Sequence, residues 1–177
     1  PWFAPQPASG ARMIMMSGLP GAGKNSWLRE NHPDLPVVEL DAIRDQLGVS
    51  ATDNQGHVLQ EAFAQARAHL RAKRDFAWNA TCLSRVARQK IVGLARDYDA
   101  RIEAVSLDIP LALATTRNNE RDASIPPAVL DKLGAKREPI QPDEAHSITS
   151  IDAQGLACEI FTLTLQEDID PPSPPQI

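Results

Sequence analysis

Between an apolar run, RMIMMS (residues 12–17), and a helix-forming stretch (24–31) lies GLPGAGKN, residues 18–25. The pattern GxxxxGK is filled by Gly18, Gly23 and Lys24, and Gly21 adds a third glycine. Glycines at these positions let the backbone bend sharply and bring its N–H groups up to phosphate oxygens. The helix that follows adds the positive end of its dipole. Such a loop needs a strand on one side and a helix on the other, so the chain is committed to a βαβ beginning. Gly18, Gly21, Ala22, Gly23, Lys24, Asn25 and Ser26 are the expected nucleotide-phosphate site, with Lys24 reaching the β- and γ-phosphates. The other reading of these glycines is a tight strand-to-helix turn with no ligand.

The rest of the chain continues the alternation. Strands are predicted at 36–40, 75–80 and 101–107, with weaker ones at 147–151 and 158–165. Helices are predicted over about 42–47, 57–73, 84–97 and 110–120, and from the Pro126–Pro127 pair onward. In 57–73 the apolar residues Val58, Leu59, Ala62, Phe63, Ala66 and Leu70 recur at helical spacing. Alternating strands and helices predict an α/β domain, a mainly parallel sheet sandwiched by helices. Ligands in such sheets bind beyond the carboxyl ends of the strands. Asp41, Asn79 and Asp108 close three predicted strands and are expected to line that crevice.

Composition bounds the reading. The chain has 177 residues, 42% hydrophobic and 23% charged, with a formal net charge of −5. That is one domain with a core, not a protein that coats nucleic acid non-specifically. Its two cysteines, Cys82 and Cys158, make no disulfide framework and no CxxC pair. They read as reduced thiols of a cytoplasmic protein. No apolar run approaches the ~20 residues of a membrane span. Residues 1–10 read as a linker, 11–165 as the domain and 166–177 as a Pro-rich tail.

Two further clusters carry chemistry. Asp41 and Arg44 form a DxxR unit, and positions i and i+3 share a helix face. A carboxylate near an attacking hydroxyl can accept its proton, and the arginine can fork onto an acceptor phosphate. The plainer reading is a helix cap and a surface ion pair. Arg117 and Arg121, in RNNER, sit where a polar, Pro-flanked segment can close over phosphates; a solvated helix end is the other reading. Arg85, Arg88 and Lys90 can meet an acceptor's phosphates or form a solvated helix face. His57, His69 and His146 show no ligand spacing.

Asn25 departs from the usual pattern, in which a Ser or Thr after the lysine ligates Mg²⁺. An amide oxygen can ligate a hard cation directly or through water. Alternatively, phosphates and waters hold the metal, or the site is weakened.

Taken in order, GLPGAGKNSW, VVELDAIR, WNATCLSRVAR, LDIP and TRNNER followed by IPPAVL resemble the kinase domain of polynucleotide 5′-kinases, the phage enzyme and its bacterial RNA-repair relatives. The resemblance spans about residues 12–135. It implies a P-loop kinase fold with a helical lid, ATP and Mg²⁺ as cofactors, and transfer of the γ-phosphate to a 5′-OH end of RNA or DNA. It implies Asp41 as general base, Arg44 on the acceptor phosphate, Arg121 and Arg117 on the ATP phosphates, and Thr81 on the acceptor side. Ala80 departs from the phage-type pattern, which has an acidic residue there. In the relatives the kinase often follows another RNA-processing domain, and the Pro1 start fits excision from such a protein. Two other functions stand beside this one: a kinase for a small molecule or nucleotide, and a degenerate module that only binds nucleotide.

Overall fold

The computed structural model describes residues 8–49, 55–120 and 125–163. Twelve elements follow in order: β1 (Arg12–Gly18), α1 (Lys24–Asn31), β2 (Val37–Glu39), α2 (Leu40–Leu47), α3 (Gln55–Arg71), β3 (Phe76–Asn79), α4 (Arg85–Asp97), β4 (Arg101–Leu107), α5 (Leu111–Asn119), α6 (Pro127–Ala135), β5 (Ser147–Ile151) and β6 (Ala157–Thr162). They build one six-stranded sheet in the order β2-β3-β1-β4-β5-β6. Every neighbouring pair is parallel except β5 and β6.

β1 is central because it is apolar on both faces. Met13 and Met15 join one core, Ile14 and Met16 the other. The first core is closed by α3, through Val58, Ala62, Ala66 and Leu70, and by α4, through Ile91, Val92 and Ala95. Residues spaced by four stand one above the other on a helix, which makes α3 a straight apolar stripe. The second core takes Leu28 of α1, Ala114 of α5 and Leu130 of α6. Both sheet faces are therefore covered, as parallel sheets require. The expected α/β sandwich is the observed one.

Element boundaries shift in one place that matters. β2 stops at Glu39, and α2 begins at Leu40 rather than 42. Asp41 therefore lies in the first turn of a helix, where a carboxylate complements the dipole. Gly48 ends α2 in the left-handed region, φ 62°. Among the described residues, no helix is long and apolar enough to cross a membrane.

Candidate active site

Because β1, β3, β2 and β4 run parallel, their carboxyl ends arrive together. Glu39 is in register with Asn79, Asn79 with Met16, and Gly18 with Leu107. The loop after β1 crosses this edge. Gly18 N–H donates to the Thr81 carbonyl (3.0 Å), tying it to the segment after β3. Gly21 and Gly23 hold φ of 82° and 98°, which only glycine adopts freely. A Cβ on Gly21 would stand 2.8 Å from the Ala114 carbonyl and 3.2 Å from the Asn118 nitrogen. The loop thus lies directly against α5. Ala22 is buried and helps seat it in the core.

Gly23 is the N-cap of α1 and offers no side chain to its first amides. Those donors face outward, where an anion can take them. The Lys24 ammonium is folded back on the loop, donating to the carbonyls of Gly18 (2.9 Å) and Leu19 (3.1 Å).

Asn25 reaches across the strand ends. Its amide donates to Glu39 Oε1 at 2.5 Å, and its Oδ1 accepts from Asn79 Nδ2 at 2.7 Å. Asn79 is buried, whereas Asn25 is open to solvent. The head of α1 therefore carries an amide oxygen beside a carboxylate, donors of the hard-oxygen kind that suit Mg²⁺. Among the described residues, no group of three His, Cys, Asp or Glu could hold a metal by itself. The loop, with its positive-φ glycines, uncapped helix head and lysine, fits a nucleoside triphosphate chain.

Asp41 and Arg44 are paired through Oδ1 and Nη1. Arg44 also donates from Nε to Gln55 Oε1 (2.9 Å), which fixes the guanidinium against the head of α3. Arg117 lies in the last turn of α5, with its Cβ 3.5 Å from the point a Gly21 side chain would occupy. Next to it Asn118, fully buried, clips the backbone of Ile125: Nδ2 donates to its carbonyl (2.8 Å) and Oδ1 accepts its N–H (3.0 Å). Arg121 lies outside the described residues.

Three of the expected residues are engaged within the chain, and for Arg88 the expectation is corrected. Arg88, expected on the acceptor, is wholly buried. Its Nε and Nη2 grip both oxygens of Glu144 (2.8 and 2.9 Å), and it donates to the carbonyls of Cys82, Glu138 and Pro139. A guanidinium so occupied has no donor left for an acceptor phosphate. Arg85 is half-exposed but forks onto Asp143 (3.1 and 2.6 Å), so an acceptor would have to displace a carboxylate. Asp108, just past the end of β4, is engaged by its neighbours on β4 and β5 and by Arg137. It accepts from Ser150 (2.8 Å), Ser106 (3.0 Å) and Arg137 (2.9 Å). Partial burial pushes its carboxyl up, but these three bonds outweigh burial and hold it below the ordinary range.

Glu39, Gln55 and Asn118 escaped the motif reading. Glu39 had a usable signal, a charged residue closing an otherwise apolar strand two positions before Asp41.

A family model described as an AAA domain matches residues 13–140. No curated protein matches the chain significantly. Among solved structures, a chain of the Pnkp1/Rnl/Hen1 RNA repair complex superposes with a TM-score of 0.65 at 20% identity, covering 72% of this chain and 44% of that one. This chain thus spans less than half of that relative's length. A putative kinase from Chloroflexus aurantiacus gives a TM-score of 0.64 at 17% identity, covering 81% and 85% of the two chains. A sugar kinase from Janibacter sp. HTCC2649 gives 0.56 at 21% identity, covering 81% and 86%. At these identities the likeness is one of fold, the P-loop kinase fold.

Proposed function

This chain belongs to the AAA-domain family whose model it matches over residues 13–140, and on that footing we propose that it is an ATP-dependent phosphotransferase whose acceptor is the 5′-OH end of RNA or DNA. The observation that carries the reading is the meeting of two unlike parts at one sheet edge. One is a phosphate cradle with Lys24 at its lip; the other is an Asp–Arg pair on α2, with Asp41 in its first turn and Arg44 in its last, just after the end of β2. A nucleotide binder needs only the first. A base beside a phosphate-binding arginine serves a hydroxyl acceptor that carries its own phosphate.

In this mechanism Asp41 takes the proton of the acceptor hydroxyl as its oxygen bonds to the γ-phosphorus and the bond to the β–γ bridging oxygen breaks, leaving ADP. Arg44 holds the acceptor's nearest phosphate. Lys24 exchanges the Gly18 and Leu19 carbonyls for phosphate oxygens, and Arg117 adds positive charge from α5. Arg121 joins it on the strength of the sequence resemblance. Mg²⁺ would be held in part by Asn25 and would neutralise charge on the phosphates. Positioning and electrostatics supply the acceleration.

One surface feature favours a polymer over a small acceptor. A groove of about 460 Å³ between α3 and α4 is lined by Gly56, Leu59, Gln60, Phe63, Arg67 and Lys90. Its two cations, Arg67 and Lys90, suit the phosphates of a polymer chain. Relatives of this fold include a sugar kinase and an RNA repair complex, so the fold alone does not choose the acceptor.

Transfer of label from γ-labelled ATP to a short 5′-OH RNA and the matching DNA, beside a 5′-phosphorylated control, tests the reading. Label on 5′-OH ends alone is expected. Label on small alcohols but not on oligonucleotides would replace the polymer with a small-molecule acceptor.

A further inference from the structure

We infer that Glu39 is the charged ligand of the nucleotide's divalent cation, acting with Asn25 in place of the hydroxyl this loop lacks; the inference rests on the nucleotide-binding reading above. The argument starts from what a carboxylate can do. Glu39 can only accept hydrogen bonds, so the amide group of Asn25 that faces it must be the NH₂. The orientation of Asn25 is thereby fixed, and its oxygen is turned to Asn79, whose buried amide donates to it. That bond uses one of the oxygen's two lone-pair directions and leaves the other for a cation or its water. The second oxygen of Glu39 makes no hydrogen bond to a described residue, and the side chain is only half-buried.

The placement is otherwise costly. Asn25 follows Lys24 in the first turn of α1, where the phosphates of a bound nucleotide collect. A carboxylate held against that residue by a 2.5 Å bond faces incoming negative charge. Like charges a few ångströms apart repel even in a water-rich setting. A divalent cation between them reverses the sign, since Mg²⁺ takes one or two carboxylates together with substrate phosphates. An amide in the hydroxyl's place brings no charge of its own, and Glu39 supplies it from the neighbouring strand.

The test compares ADP binding by calorimetry in EDTA and in Mg²⁺ for the full chain and for two variants. Wild type is expected to bind ADP more tightly with Mg²⁺. Glu39→Gln keeps an acceptor for Asn25 but loses the charge; it should bind metal-free ADP as well as wild type or better, while its Mg²⁺ gain falls by about tenfold or more, the range typical of carboxylates that support a metal. Glu39→Asp retains a carboxylate and should keep more of the gain than Glu39→Gln. A Mg²⁺ gain that survives Glu39→Gln, or a wild type whose ADP affinity ignores Mg²⁺, overturns the inference while leaving the nucleotide reading standing. A wild type that binds ADP in neither buffer overturns both.

Discussion

Arg88 decides between two pictures of the segment after β3, and its replacement by Met is the most informative stability experiment on this chain. The guanidinium is completely buried and makes five hydrogen bonds, two to Glu144 and one each to the carbonyls of Cys82, Glu138 and Pro139. Summing charge-assisted bonds at their usual worth would overshoot, since each net contribution includes water regained on unfolding. The better guide is the loss of one partner from a buried ion pair, about 3–5 kcal/mol, because the other charge is stranded. Glu144 keeps one backbone donor, the N–H of Gln141 at 2.9 Å, which pulls the figure toward the lower end. Against the ~5–15 kcal/mol that holds a domain together, that loss is severe. Cys82 adds to it: its backbone sits at φ 44°, a strained value for a non-glycine, and Arg88 holds its carbonyl. Urea unfolding of Arg88→Met should show a loss of about 3 kcal/mol or more, and Arg88→Met with Glu144→Leu should lose clearly less than the two single changes added together. If Arg88→Met unfolds like wild type and loses only oligonucleotide affinity, the buried-clamp account is wrong and the acceptor role returns.

Asp41→Ala should abolish phosphoryl transfer while ADP affinity stays within about twofold, and substantial residual transfer would remove Asp41 as the base. Lys24→Ala should lower kcat rather than merely raise KM for ATP, as expected of a clamp on the transferring group. Gly21→Ala adds the strain of φ 82° to a clash with the Ala114 carbonyl, whereas Gly155→Ala has the same φ and nothing within 4 Å; thermal melts should show the first costing more than the ~1–2 kcal/mol of left-handed strain and the second no more than that. The pKa of His69 is lowered by burial and then by Arg74, and its Nδ1 is buried with no hydrogen-bond partner among the described residues. Its folded form resists protonation, so the unfolded chain binds more protons and stability falls as pH drops from 6.5 toward the folded value. His69→Phe, which keeps the stack on Phe76, should flatten that slope in urea midpoints measured from pH 7.5 to 5.5.

How much of this was legible in the sequence follows from the range of each interaction. Strands and helices were readable because their signals are local: the unbroken apolar run of β1, the four-residue stripe of α3, the Pro pair opening α6. The αL cap at Gly48 was readable for the same reason. The start of α2 was misplaced by two residues because Glu39 gives no side-chain cap to mark it. The sheet order needs more than local signals, since β1 pairs with β3 and β4, and the intervening β2 is sent to the edge.

Arg88 shows where the motif reading of the site broke down. An Arg-x-x-Arg on a helix after a phosphate loop has the same local signature whether it faces solvent or core. What buries Arg88 is Glu144, 56 positions away and without any motif of its own. Asn25 failed in the opposite direction. Read alone it is a missing hydroxyl, and three readings of the metal site stayed open. Its meaning depends on Glu39 and Asn79, which reach it only because β2 and β3 are in register at their ends. An amide wedged between a carboxylate and a second amide has a fixed polarity, and once phosphates arrive a carboxylate at the lip of the cradle is favoured by a cation between them. The residue that looked like a defect in the loop is hydrogen-bonded to a carboxylate on a different strand, and the proposed metal role belongs to that pair rather than to Asn25 alone.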